Sequence, residues 1–220
     1  MEYLTVDTCQ VRGLNKIYQE YFGYKDEGCF IEIGAADGVS WSNTYGLYKA
    51  GWYGVMYEPD VNAYVKCVEN MKPYPKVRVH NLAIGKHHGQ VVLHAAQIGG
   101  STVSDEYLSA IKLRNGWSPT GEYFVDMITL DKALEIERLL PSEIDVMSID
   151  TEGNEPDILE GFDIDYWKPA MVIVEAHEHY PDIDRPKTAE RINNYFAAHD
   201  YDKVYCDEVN NIYVPRKLDR

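Results

Sequence analysis

The sequence predicts an α/β fold: a mostly parallel sheet with helices on both faces, a small insertion and an antiparallel hairpin at the C-terminal end. Three observations lead there. Short apolar runs of strand length alternate with stretches of helical periodicity along most of the chain. The first run, Phe30-Ile31-Glu32-Ile33, passes straight into a turn bearing Gly34 and Gly38, and a helix opens beyond it. The alternation breaks across about residues 89–128 and again over 202–214, where two short strands flank a turn near Asp207. The 220 residues are expected to form one domain, with the insertion at about 89–128. A chain of that length buries a sizeable core.

Each element has its own signal. Leu14, Ile17, Tyr18 and Tyr21 recur at helical spacing, so residues 13–22 are expected to pack as an amphipathic helix on the sheet edge. A strand over 29–33 follows. The spacing then predicts a helix from Ser42, a good N-cap, to Ala50, with Gly51 as its stop. The second strand spans 53–58. Asp60 caps a helix whose expected apolar face is Val61, Tyr64, Val65 and Val68, and Pro73 and Pro75 end it. The third strand spans 76–82.

The insertion reads as a strand at 89–96, a turn at 99–102, a helix at 104–113, an irregular loop at 116–121 and a strand at 123–128. Functional residues gather on loops carried by a rigid scaffold, so residues 98–121 are a candidate border of the substrate pocket, with Trp117 in their loop. Beyond it come a helix at 130–139 and a strand at 144–149 ending on Asp150. A short helix between Pro156 and Gly161 leads to a strand at 171–174 ending on Glu175. A polar stretch at 177–187, including Glu178 and His179, reads as solvated loop. It precedes a helix at 188–199 with Ile192, Tyr195 and Phe196 inward.

Composition narrows the function classes. A net charge of −15 repels nucleic-acid backbones and anionic membranes. Four scattered cysteines form no C-x-x-C pair, which argues for free thiols in a reducing compartment rather than zinc or a disulfide framework. No apolar run is long enough to span a bilayer. A cytoplasmic protein without nucleic-acid or membrane partners is the expectation.

The chemistry-bearing residues fall at strand ends. The Gly34–Gly38 turn lies at the carboxyl end of a strand, where open α/β sheets bind ligands. It lacks the glycine spacing of G-x-G-x-x-G. The second strand also ends on an acid, Glu58, placed to accept two hydrogen bonds from a ribose diol. Glu32 is placed either to fix the loop backbone or to contact the cofactor. Asp150, Glu152, Glu155, Glu175 and His177 make an acidic cluster that needs a proton, a cation or a sulfonium to compensate it.

Several blocks, in order, resemble one family. They are Glu32-Ile33-Gly34-Ala35-Ala36-Asp37-Gly38, Ser42-Asn43-Thr44-Tyr45, Gly51-Trp52-Tyr53-Gly54, Glu58-Pro59, Asn81-Leu82-Ala83-Ile84-Gly85, Thr129-Leu130-Asp131, Ile149-Asp150-Thr151-Glu152-Gly153-Asn154-Glu155 and Val174-Glu175-Ala176-His177. Together they resemble the FkbM family of S-adenosylmethionine-dependent methyltransferases over about residues 29–215. Ala36 departs from the Asn usual there. The resemblance implies a Rossmann-like class I methyltransferase fold and S-adenosylmethionine as cofactor. It also implies a hydroxyl acceptor on a sugar, glycan or related small metabolite. Cofactor contacts are expected at Glu32, Gly34, Ala35, Ala36, Asp37, Gly38, Asn43, Glu58, Pro59, Asn81, Ala83 and Ser101, with Asn81 and Ala83 by the adenine. Asp150, Glu175 and His177 are the expected catalytic group, with Asp150 or His177 as base. A divalent cation held by two carboxylates and an imidazole is a further possibility. Two alternatives stay open at this point: an NAD-dependent oxidoreductase on a similar sheet, which Glu58 would also serve, and an inactive binding module.

Overall fold

A computed structural model describes residues 2–96, 100–115, 118–178 and 186–217. The expectations placed on Trp117 and His179 lie outside the described residues. In chain order the elements are α1 Leu14–Phe22, β1 Cys29–Ile33, α2 Tyr45–Lys49, β2 Tyr53–Tyr57, α3 Val61–Met71, β3 Val77–His80, β4 Ala83–Ile84, β5 Gly89–Ala95 and α4 Asp105–Asn115. There follow β6 Gly121–Ile128, α5 Leu130–Ile136, β7 Val146–Ile149, α6 Glu155–Glu160, α7 Ile164–Trp167, β8 Met171–Glu175, α8 Pro186–Ala198, β9 Tyr201–Cys206 and β10 Asn210–Pro215.

A seven-stranded sheet runs β3-β2-β1-β7-β8-β10-β9. Pairing is parallel from β3 through β8, and β10 is antiparallel to both β8 and β9. The strand order reverses at β1, with β2 on one side and β7 on the other, which opens a crevice beyond their carboxyl ends. Strand alternation divides the core. Ile31, Ile33, Met147, Ile149, Val172 and Val174 pack under α5, α6, α7 and α8. Phe30, Met56, Val146, Met171, Ile173 and Ile212 pack under α1, α2 and α3. Each large side chain fully buried there contributes about 1.5–3 kcal/mol.

Four expectations are corrected. The helix expected from Ser42 begins only at Tyr45, because the Ser42 hydroxyl is turned to Glu32 and caps no helix. On α3 the inward residues are Ala63, Cys67 and Met71, while Val61 and Val65 stand exposed. Asp60 does cap it, accepting from the Asn62 and Ala63 amides, and that cap sets the helix's rotation. The run 76–82 is not one strand. Only Val77–His80 is strand, as β3, and the next strand, β4, begins past the run at Ala83 and pairs parallel to β6 in a second sheet of order β4-β6-β5. Finally, α5 ends at Ile136, and α7 has no counterpart in the sequence reading.

Candidate active site

A cavity of about 600 Å³ opens at the carboxyl ends of β1, β2 and β7, within the size range of small-molecule and cofactor sites. Its floor is the turn after β1. The Gly34 and Ala35 amides donate to the Tyr57 carbonyl at 2.9 and 3.1 Å, so the chain folds back over β2. Gly34 has φ +83°, and a Cβ there would lie 1.6 Å from the Asp150 carbonyl oxygen. Only glycine lets the backbones following β1 and β7 approach so closely.

Glu58 caps this floor. Its Oε2 accepts from the Ala36 amide and its Oε1 from the Asp60 amide, both at 2.8 Å. The residue is 6% exposed. Burial pushes its carboxyl up to about 7, and the two amides partly offset that rise. Glu32 is similarly buried. It accepts from Ser42 Oγ at 3.1 Å and Thr44 Oγ1 at 2.8 Å, and burial raises it to about 8. It lines the cavity and anchors the segment between β1 and α2 at once.

The other expected cofactor residues divide. Gly34, Ala35, Ala36, Asn43, Pro59, Ala83 and Ser101 all line the cavity. Asp37 and Gly38 are not part of its lining. The Asp37 carboxylate accepts from the Val39 and Ser40 amides and the Ser40 hydroxyl, so it shapes the turn. Asn81 is likewise outside the lining. Its amide donates to the Glu58 and Pro59 carbonyls at 2.8 and 2.9 Å, which positions the backbone that carries Glu58. Ser101 Oγ donates to Asp60 Oδ2 at 2.9 Å, tying the insertion to the cap of α3. Leu93, Ala96, Gly100 and Val103 complete that wall, so the insertion does border the cavity.

Gln10 and Trp41 are among the lining residues to which the sequence reading gave no role. Gln10 donates to Asp150 Oδ2 at 2.6 Å, and Asn43 holds it there. The Asn43 Nδ2 donates to Gln10 Oε1 at 3.2 Å, while its Oδ1 accepts from the Val11 amide at 3.2 Å. The segment before α1 is thereby stitched over the cavity. Trp41 sits at the cavity edge, 56% exposed, with φ +63°.

Of the expected catalytic group His177 is not part of the cavity lining; Asp150 is, and Glu155 and Glu175, also outside the lining, lie beside Asp150. One oxygen from each of the three falls within 4.8 Å of the others. Glu155 is buried, accepting from the amides of Thr151 and Gly153 at 2.8 and 3.1 Å, and burial raises its pKa. The His177 Nε2 meets Glu175 Oε1. Its backbone is left-handed, φ +46°, and the Val209 carbonyl accepts from the amides of both Ala176 and His177. Glu152 lines the cavity too, with the Tyr107 hydroxyl on its carboxylate.

A family model described as the methyltransferase FkbM domain matches residues 32–203. The chain belongs to this family. Solved structures agree on the fold. A candidate caffeoyl-CoA O-methyltransferase from Staphylococcus aureus superposes with a TM-score of 0.50 at 10% identity, covering 96% of this chain and 86% of that one. A candidate O-methyltransferase from Klebsiella pneumoniae gives 0.50 at 10%, covering 93% and 78%. The METTL16 methyltransferase domain gives 0.50 at 12%, covering 94% and 68%. No curated protein sequence matches. The fold is that of class I methyltransferases, and a methyltransferase assignment displaces the nicotinamide alternative.

S-adenosylmethionine is the cofactor of this FkbM methyltransferase, and the cavity suits it. Five acidic side chains line it, Glu32, Glu58, Asp60, Asp150 and Glu152, of which burial shifts Glu32 and Glu58 toward the neutral form, against one cationic side chain, Lys66, among the described residues. Such a lining favours a cationic sulfonium ligand. Among the described residues no helix is long and apolar enough to cross a membrane.

Proposed function

We propose that this methyltransferase methylates a hydroxyl of a sugar, glycan or related small metabolite. The observation that carries the reading is Asp150. Its carboxylate shares one cavity with Glu58, on the strand neighbouring the glycine turn. A neutral hydroxyl is a poor nucleophile, and a base in reach typically accelerates its attack by about 10²–10⁴-fold.

In this reading Glu58 accepts the two ribose hydroxyls with the lone pairs its backbone amides leave over. The Gly34–Ala36 backbone and Glu32 receive the amino-acid end, and Pro59 and Ala83 border the adenine. S-adenosylmethionine supplies an electrophilic methyl group on a sulfonium. Asp150 would take the hydroxyl proton as the acceptor oxygen receives that methyl group in place of the sulfur. The Glu175–His177 pair lies outside the cavity lining and positions Asp150 from the next strand. Trp41 offers an exposed ring face at the cavity edge for a sugar to stack on. The net charge of −15 disfavours polyanionic acceptors such as nucleic acid and disfavours anionic membrane surfaces.

Methyl-labelled S-adenosylmethionine incubated with panels of glycosides, phenols, carboxylic acids and amines tests this. Label entering glycosides, lost by about 10²-fold or more in Asp150→Asn and His177→Ala with cofactor affinity kept, is the expected result. Label only in acceptors without a hydroxyl, or turnover near wild type in both variants, refutes it.

A further inference from the structure

The carboxylate cluster carries more than a general base requires. Asp150 follows β7, Glu175 ends β8 and Glu155 opens α6, and one oxygen from each lies within 4.8 Å of the other two. Glu155 and Glu175 are buried, at 1% and 5% exposure. A cation shared among oxygens gathered this closely would bridge them.

A fourth residue points to what is shared. Asn210 pairs directly with Glu175 across the antiparallel β8–β10 ladder. Residues opposite each other in such a ladder project to the same face, with Cβ atoms about 4.5–5.5 Å apart. The Asn210 side chain therefore stands beside the Glu175 carboxylate. Asn210 is 1% exposed, and neither its Oδ1 nor its Nδ2 has a hydrogen-bond partner. Stranding a buried polar group is costly, and a buried amide with both ends unmet marks a place where an ion or ordered water belongs.

We propose that Asp150, Glu155, Glu175 and Asn210 bind one hard divalent cation of the Ca²⁺, Mg²⁺ or Mn²⁺ class. The donors are three carboxylate oxygens and an amide carbonyl, the set such ions prefer over soft metals. Oxygens on opposite sides of an ion bound at 2.3–2.6 Å lie about 4.6–5.2 Å apart, so a cluster within 4.8 Å admits one ion. The waters that hard cations retain give the Asn210 nitrogen its acceptor. His177, against Glu175 Oε1, orients that carboxylate from behind. Glu155 is already steadied by the Thr151 and Gly153 amides. An ion here lies beside Asp150 at the cavity and lowers the pKa of a hydroxyl bound next to it. This deepens the proposed methyl transfer without depending on it.

The test is Mn²⁺ alone, titrated into chelator-treated protein and followed by loss of the free-ion electron paramagnetic resonance signal. Calorimetry with Ca²⁺ and with Mg²⁺ runs alongside. One ion per chain is expected, with affinity weakened about 10–100-fold in Glu175→Gln and about 3–10-fold in Asn210→Ala. Asn210→Asp, which restores an oxygen and adds charge, binds at least as tightly as wild type. Saturable uptake absent from wild type overturns the site, as does affinity unchanged in both Glu175→Gln and Asn210→Ala. If those two variants unfold, Asn210→Asp decides, and its failure to take up Mn²⁺ also overturns the site. Mn²⁺ binding by a protein that does not bind S-adenosylhomocysteine would count against the proposed function alone.

Discussion

Replacing Glu58 by glutamine tests the cofactor side of the site. The wild-type carboxylate is held between two backbone amides and pushed by burial from 4.5 to about 7. Two effects follow. As an acid whose folded pKa is raised, Glu58 favours the folded state fully below pH 4.5. Unfolded chains then release this proton first as pH rises, so the contribution falls between 4.5 and about 7 and is flat above. Its size is ~3 kcal/mol. Cofactor affinity has the opposite sign, because the ionised carboxylate is the stronger acceptor for ribose hydroxyls. S-adenosylhomocysteine should therefore bind more tightly as pH rises through about 7. Glutamine keeps one acceptor oxygen and turns an amide nitrogen toward the Ala36 or Asp60 amide. The expected loss at pH 8.5 is about 1.5–3 kcal/mol, roughly 10- to 100-fold in affinity. Isothermal titration of S-adenosylhomocysteine from pH 6 to 9, with melting temperatures as a folding control, reads both effects. A variant within twofold of wild type at pH 8.5, or one that keeps the same slope through pH 7, refutes the role given to Glu58.

Other expectations are as direct. Gly34→Ala places a Cβ 1.6 Å from the Asp150 carbonyl oxygen at φ +83°, so the turn must move. Calorimetric titration should find S-adenosylhomocysteine binding lost, alongside a lowered melting temperature. Trp41→Gly relieves a left-handed backbone of about 1–3 kcal/mol while removing the ring. It should raise the melting temperature and the acceptor KM together, and leave the S-adenosylhomocysteine Kd unchanged. Asn43→Leu removes the acceptor for the Val11 amide and the donor to Gln10, and hydrogen exchange at Val11 should quicken. Exchange as slow as in wild type would mean the segment is held by its apolar contacts alone.

The architecture was legible because the central parallel strands are dense apolar runs, buried on both faces, as Phe30–Ile33 and Met171–Val174 are. Chemistry at strand ends was legible for the same reason: Glu58, Asp150 and Glu175 are acids at the limits of such runs. Residues whose job is to hold other residues were not. Asn81 and Asp37 look like ligand contacts in sequence, yet their polar atoms go to the Glu58 and Pro59 carbonyls and to the Val39 and Ser40 amides. Ser42 has the chemistry of an N-cap, but a buried carboxylate competes for its hydroxyl. Gln10 and Asn210 lie far along the chain from the residues they stand beside. Neither has a local pattern that announces the partner.

The grip of Val209 on Ala176 and His177 has a consequence for synthesis. Ribosomes extend chains at about 5–20 residues per second, and earlier segments begin folding first. The glycine turn and Glu58 emerge early and can find each other while β8 is still to come. The carbonyl that fixes His177, and the amide opposite Glu175, arrive some 35 residues after β8, about 2–7 s later at those rates. A nascent chain that already holds its cofactor floor is thus without its finished acidic rim until β10 docks. Stalling translation after β8 should leave a protein with a nucleoside-sized cavity and no ability to turn over.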